Sequence, residues 1–223
     1  MAYILQIETA TTNCSIAISY KGETIALKEL SNGYSHAENI HVFIKEILIE
    51  NKLEYSDLNA VAVSKGPGSY TGLRIGVSTA KGLCFSLDIP LIAIETLEVL
   101  AHQAKVTEGF IVPMIDARRM EAYTKVFTLD YKECREIQAE ILNEESFKEV
   151  LAKSKVVFIG NKTEKTQEVI QHNNAIFIDT LPSAKEMSVL AYYKYKKNDI
   201  EDVAYFEPYY LKDFLVTPSK KKI

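Results

Sequence analysis

The apolar positions of the chain form short β-type runs and helical stripes that occur in a repeated order. In the first half the pattern predicts three strands followed by helix, strand, helix, strand and helix. These predicted elements are, in chain order, Tyr3–Glu8, Ser15–Tyr20, Thr24–Leu30, Ser35–Asn51, Asn59–Ser64, Gly72–Leu87, Pro90–Glu95 and Thr96–Lys105. Hairpin strands followed by alternating strands and helices indicate a mixed sheet with helices packed on it.

The same order returns in the second half of the chain. The predicted elements there are Phe110–Asp116, Glu121–Leu129, Ile137–Leu142, Ser146–Lys153, Val156–Gly160, Thr163–His172, Ala175–Asp179 and Ser183–Lys197. An acid ends the first strand of each half, Glu8 in one and Asp116 in the other. The repeat therefore predicts an α/β protein with two lobes of βββαβα type, residues 1–105 and 106–215, and a disordered tail over 216–223.

Composition narrows the class of protein. With 47% hydrophobic and 25% charged residues, the chain has the balance of a globular domain rather than a disordered or fibrous one. No apolar run approaches the roughly 20 residues that span a bilayer, and the first residues lack a secretory signal pattern. Cys14, Cys84 and Cys134 show no paired spacing, which is typical of reduced thiols and predicts a cytoplasmic protein. The net charge of −4 argues against a chain that grips nucleic acid alone.

A glycine-rich loop between a buried strand and a helix is the strongest local signal. It reads SKGPGSYTGLR over residues 64–74, and Ser69 or Thr71 can cap the helix that follows. Free N–H groups at such a helix start favour an anion. However, the spacing matches neither GxGxxG nor GxxxxGK[ST]. Two interpretations remain open here, a tight strand-to-helix turn and an anion-binding loop.

The predicted helix Gly72–Leu87 is apolar almost all round, and only Arg74 and Lys81 mark a polar side. On the preceding helix, Val42 and Ile49 lie opposite the main apolar stripe. One interpretation is a helix enclosed within its own domain, and the other is a docking face for another protein.

Residues for catalysis are hard to find in the sequence. The four histidines form no metal pair, and no nucleophile motif is present, so we predict neither a catalytic residue nor a metal site. This favours a binding or assembly role. The alternative is a small-molecule kinase or ATPase that uses Glu8, Asp116 and the 66–72 loop on a metal–nucleotide complex. A stand-alone metallopeptidase is disfavoured because no ligand set is visible.

Four segments resemble the bacterial TsaB (YeaZ) family. They are ILQIETAT at residues 4–11, KGPGSYTGLRIG at 65–76, IDARRMEAY at 115–123 and EPYYL at 207–211. The second is highly specific, and the likeness extends from Met1 to about Lys212.

The resemblance implies the duplicated actin-like (ASKHA, ribonuclease H-like) fold and a role in making threonylcarbamoyladenosine at position 37 of tRNA. In this family the chain is the non-catalytic partner of TsaD, which transfers the threonylcarbamoyl group, and the ATPase TsaE joins the assembly. Alone, such a chain pairs with itself. The resemblance implies no cofactor of the chain's own, ATP only at the level of the complex, tRNA contact only through the complex, and no membrane association.

The resemblance also assigns roles to residues. The helices equivalent to Ser35–Asn51 and Gly72–Leu87 form the partner surface in the family. The interface residues expected from this are His36, Ile40, Val42, Phe43, Ile49, Leu73, Gly76, Val77, Ala80, Lys81 and Cys84. The residues expected in an anion, nucleotide or interface loop are Glu8, Thr9, Gly66, Pro67, Gly68, Ser69, Thr71, Gly72, Arg74 and Asp116.

Two departures from TsaD-like proteins stand out. Those proteins carry an HxxxH metal pair after a PLIxV-type strand, and here Thr96 and Leu100 occupy the two histidine positions. Neither residue supplies an imidazole, so the metal cannot be held in that manner. Glu8 stands where family members commonly have Asp.

Overall fold

The computed structural model describes residues 2–31, 36–118, 120–161 and 163–212. The strands are β1 (Tyr3–Glu8), β2 (Cys14–Tyr20), β3 (Glu23–Leu30), β4 (Leu58–Gly66), β5 (Leu91–Glu95), β6 (Phe110–Asp116), β7 (Glu121–Phe127), β8 (Glu133–Ile141), β9 (Val156–Gly160) and β10 (Ala175–Asp179). The helices are α1 (His36–Glu50), α2 (Tyr70–Leu87), α3 (Thr96–Ala101), α4 (Lys148–Leu151), α5 (Thr163–Val169) and α6 (Met187–Lys197).

The strands form two five-stranded sheets with the same internal order. The first is β3-β2-β1-β4-β5 and the second, read in the same direction, is β8-β7-β6-β9-β10. In each sheet the first three strands pair antiparallel, and the last two join in parallel. The duplicated mixed-sheet architecture predicted from the repeat is confirmed.

Helices α1 and α2 cover one face of the first sheet. The apolar stripe of α1, including Ile40, Ile44 and Ile47, is buried with Val61 and Val63 of β4 in one core cluster. This follows from the three- and four-residue spacing of the stripe, which places those side chains on one side of the helix.

The two lobes are not contiguous segments of chain. Helix α3 follows the first sheet in sequence but packs on β6 of the second, while α6 packs on β5 and β1 of the first. Met187 and Ala191 of α6 are buried with Ile4 and Ile92. A division at residue 105 therefore does not describe the packing, because each half sends a helix to the other. The predicted tail, 216–223, lies outside the described residues.

Several element bounds differ from the prediction. Helix α3 ends at Ala101 rather than Lys105, where the N–H of His102 donates to the carbonyl of Glu98 and the ring stacks on Tyr131. Strand β8 begins at Glu133, four residues before the predicted start, because polar residues at a sheet edge pair by backbone hydrogen bonds without an apolar pattern.

An ion pair ties the second sheet to the first. Lys125 on β7 has an almost buried side chain, and its Nζ lies 3.0 Å from Oε1 of Glu95 at the end of β5 and 2.7 Å from Oε2 of Glu133. The Lys125 ammonium and the Glu95 carboxylate are both largely removed from water, so either charge would be poorly solvated without the other.

Lys125→Ala is expected to lower the free energy of unfolding by about 3 kcal/mol, because it leaves the largely buried Glu95 carboxylate without a partner. The check is urea denaturation followed by far-UV circular dichroism. Lys132→Ala, which removes an exposed ion pair with Asp130 in the same lobe, should cost less than about 1 kcal/mol. Equal costs for the two variants would contradict a structural role for the Lys125 pair.

Candidate partner interface and the glycine-rich loop

The glycine-rich loop lies directly against the turn that follows β1. The N–H of Ser69 donates to the carbonyl of Ala10 at 2.6 Å, and the hydroxyl of Thr9 donates to the carbonyl of Gly72 at 2.8 Å. A Cβ atom at Gly72 would lie 2.1 Å from the Thr9 carbonyl oxygen, and one at Gly68 would lie 2.4 Å from that of Ala10. The glycines therefore permit a close approach of backbone to backbone within the chain.

The start of α2 uses its own side chains and the C-terminal segment. The Ser69 hydroxyl accepts from the N–H of Gly72, which confirms the predicted cap, while Thr71 is exposed. The Arg74 guanidinium lies 4.0 Å from the ring centre of Tyr70, and its Nε donates to the hydroxyl of Tyr210. Gly66 and Pro67 are buried, and the carbonyl of Tyr209 lies where a Cβ at Gly66 would point.

The two strand-end acids lie in opposite environments. Glu8 is fully buried, and its Oε1 accepts from the N–H of Ala10 at 2.6 Å. Burial raises the pKa of Glu8 to about 7, although hydrogen bonds from Ala10, Ser64 and Thr9 oppose the rise. Asp116 is exposed, and its carboxylate accepts from the N–H of Arg118. The structure therefore does not bring these two acids together as an open pair for a metal–phosphate complex.

The positions aligned with the metal ligands of TsaD-like proteins lie in the core between the sheets. Thr96 and Leu100 are both fully buried. The hydroxyls of Thr96 and Ser64 are 2.7 Å apart, and Leu100 packs with Ile115 of β6. Across the described ranges, no group of three or more His, Cys, Asp or Glu side chains could hold a metal ion.

The expected interface residues divide into two sets. Seven of the eleven are buried within the protomer, so they form its core and are not available to a partner: His36, Ile40, Leu73, Gly76, Val77, Ala80 and Cys84. Ile40, Val77, Ala80 and Cys84 pack in the core cluster against the sheet. His36 lies against the Thr11 carbonyl, and Gly76 lies against Thr9 in the turn after β1. Phe43 is partly buried, and Lys81 donates to the carbonyls of Ala204 and Phe206.

The outward side of α1 and α2 retains three large apolar side chains. Val42 is 48% exposed, Ile49 63% and Phe85 83%. Gly82, one turn from Ser78 and Phe85, has open space where a Cβ would lie. Phe85 is not among the interface residues expected from the sequence, although its position in the helix indicates exposure. It follows Lys81 by four residues and so lies on the polar side of α2, where an apolar residue has no core to join.

Glu8→Gln is expected to change how stability depends on pH. The pKa of Glu8 is raised in the folded state, so its contribution to stability is complete below about 4.5 and is lost as the pH rises through about 7. The variant should match the wild type at pH 4.5 and exceed it by about 3 kcal/mol at pH 8. Chemical denaturation across this range measures the difference, and the exposed Glu108→Gln should show none. A pH-independent difference for Glu8→Gln would contradict the raised pKa.

Two glycines of α2 form a matched pair. Gly72→Ala should lower the free energy of unfolding by about 2–3 kcal/mol, because the added methyl group meets the Thr9 carbonyl. Gly82→Ala meets open space and should raise it by about 0.5–1 kcal/mol through helix propensity. Denaturation midpoints test both, and a stable Gly72→Ala protein would overturn the close backbone contact.

Comparison with known proteins places the chain in a family. Residues 32–218 match the family model described as TsaD, tRNA N6-adenosine threonylcarbamoyltransferase. The tRNA threonylcarbamoyladenosine biosynthesis protein TsaB of Escherichia coli is 30% identical over 220 residues, covering 94% of each chain. The TsaB proteins of Haemophilus influenzae and Bacillus subtilis are each 38% identical over 126 and 124 residues, and the matched part of this chain spans about half of their length, 51% and 54%.

Solved structures agree on the fold. YeaZ from Pseudomonas aeruginosa superposes with a TM-score of 0.84 at 23% identity, covering 95% of this chain and all of that one. An activator of 2-hydroxyisocaproyl-CoA dehydratase from Clostridium difficile, solved with ADPNP, gives 0.50 at 12% identity over 89% of this chain and 96% of that one. These matches show a duplicated actin-like fold, and together with the sequence relatives they establish that the chain belongs to the TsaB (YeaZ) family.

Proposed function

We propose that this chain is a non-catalytic subunit in the formation of threonylcarbamoyladenosine in tRNA, and that it acts by docking onto a TsaD-type catalytic subunit. The observation that carries the proposal is the outward face of α1 and α2, where Val42, Ile49 and Phe85 are exposed on two neighbouring helices. The family relationship supplies the reaction, since relatives are named for biosynthesis of this nucleoside.

The interior of the chain supports a role without chemistry of its own. Glu8 is buried with a raised pKa, so it is not an exposed carboxylate ready for a cation. Thr96 and Leu100 belong to the packing between the sheets. In this proposal the transfer reaction takes place on the partner, and this chain fixes the partner's orientation.

The docking surface has the composition of an interface centre. The buried centre of an interface is more apolar than the rest of a protein surface and is enriched in aromatic side chains, and a stable interface buries roughly 1,600 Å² in total. Gly82 lets a partner helix approach the backbone of α2 closely. We propose that the same face joins two copies of this chain when the catalytic subunit is absent.

Further parts of the assembly belong to the same proposal. A TsaE-type ATPase would join the pair, ATP would act at the level of the complex, and tRNA would be reached through the catalytic subunit. No helix among the described residues combines the length and apolar character needed to cross a membrane.

Phe85→Glu and Ile49→Glu are expected to weaken binding to a TsaD-type subunit by at least about tenfold each, because a charge would be buried in the contact. Isothermal titration calorimetry measures the affinity, and in vitro modification of tRNA should fall in parallel. Val189→Glu, at an apolar position on α6 that is 56% exposed, is the matched control and should leave both unchanged. Ala80 is unsuitable for this test because a charge there would enter the core.

Two results would contradict the proposal. One is undiminished affinity and modification with Phe85→Glu and Ile49→Glu combined in one folded chain. The other is turnover of ATP by the purified chain alone that is lost in Glu8→Gln, which would favour the kinase or ATPase alternative. Reconstitution of tRNA modification with and without this chain tests the requirement for it.

A further inference from the structure

The two sheets are covered unequally on the face where a helix of the other half packs. Helix α6, of 11 residues, packs against all five strands of the first sheet. The equivalent helix α3, of 6 residues, packs against β6, β7 and β9 of the second sheet. Strand β8 lies beyond β7 at the edge of that sheet. The shorter helix therefore leaves the outer end of β8 open on this face.

The open end of β8 presents apolar side chains. Ile141, the last residue of the strand, is 69% exposed. It pairs directly with Glu121 of β7, so the two side chains lie on the same face of the sheet. Because side chains alternate along a strand, Tyr123 and Ile137 share this face, and both pack against the core cluster of α3 and β6. The apolar surface therefore continues from that cluster out to Ile141.

The described part of the chain ends at this open surface. Its last residue, Lys212, pairs with the carboxylate of Glu121, which stands opposite Ile141. The segment before it is anchored to the first lobe, since the N–H of Tyr209 donates to the carbonyl of Lys65 at 2.7 Å. The chain after Lys212 therefore starts beside the open end of β8.

The sequence that follows Lys212 begins with apolar residues. Residues 213–223 read DFLVTPSKKKI and lie outside the described residues. Each residue extends a chain by at most about 3.6 Å, so the backbone of Phe214 lies within about 7 Å of that of Lys212. Phe214 and Leu215 are thus within reach of Ile141, whereas the lysines at 220–222 come much later.

We propose that Phe214 and Leu215 pack on Ile141 and Tyr123, and so close the face of β7 and β8 that α3 leaves open. Helix α6 closes the equivalent face of β2 and β3 in the first sheet. The point where the described chain ends favours this occupant over a second protein, and covering Ile141 removes apolar surface from water. The proposal is independent of the docking role, because it concerns the second sheet alone.

The test measures the protection of position 141 in solution. Ile141→Cys is combined with Cys134→Ser in the full chain, which makes the new thiol the exposed one, since Cys14 and Cys84 are buried. Its rate of reaction with a soluble aromatic disulfide reports how often the face opens. We expect this rate to be at least about tenfold lower in the full chain than in a chain that ends at Lys212.

A longer truncated chain is the matched control. A chain that ends at Pro218 retains both apolar residues and lacks the three lysines, and its thiol should react as slowly as that of the full chain. Phe214→Ser combined with Leu215→Ser should raise the rate as much as truncation at Lys212. Without the reporter thiol, truncation at Lys212 should raise the equilibrium constant for urea unfolding by about fivefold or more, and truncation at Pro218 should leave it unchanged.

Three outcomes would overturn the proposal. The first is equal thiol reactivity in the full chain and in the two truncated chains. The second is protection that survives truncation at Lys212 and rises with protein concentration, which would assign this face to a second copy of the chain. The third is protection that appears only when a TsaD-type subunit is added, which would make the face a contact with that partner.

Discussion

The contact between the start of α2 and the Thr9–Ala10 turn sets the geometry of the N-terminal lobe. Backbone carbonyls of the turn meet Gly68 and Gly72 at distances that allow no side chain. Glu8 is fully buried next to this turn, and burial raises the pKa of its carboxyl to about 7. The same contact fixes the rotation of α2, so that Ala80 and Cys84 face the sheet and Phe85 faces outward.

The two halves have the same order of elements, but their equivalent helices differ in length. In the first half a long α1 closes the sheet and leaves apolar residues on its outer side. In the second half a short α4 leaves a cavity instead. The halves are joined by the helices α3 and α6, each of which packs on the sheet of the other half, and by the Lys125–Glu95 pair.

Much of the fold could be predicted from the sequence, because buried strands have continuous apolar runs. Tyr3–Glu8, Phe110–Asp116 and Val156–Gly160 were predicted with their observed bounds. Residues 133–136 at the start of β8 have no continuous apolar run. They form a strand because backbone hydrogen bonds pair this edge strand with β7. The residues of the candidate partner interface are harder to predict from the sequence. An apolar helix can be covered by its own sheet or by a partner, and sequence alone does not say which. Ala80 and Leu73, which the sequence places in the expected interface, are buried in the core, whereas Phe85, which is not among the expected residues, is exposed.

Thr96 and Leu100 are part of the packed core between the two sheets. A metal centre between two lobes needs an accessible cleft, whereas a hydroxyl bonded to Ser64 and a leucine packed on Ile115 are stabilised by excluding water. The proposed docking role would gain from a well-packed core of this kind, because less conformational freedom is lost when two rigid partners associate.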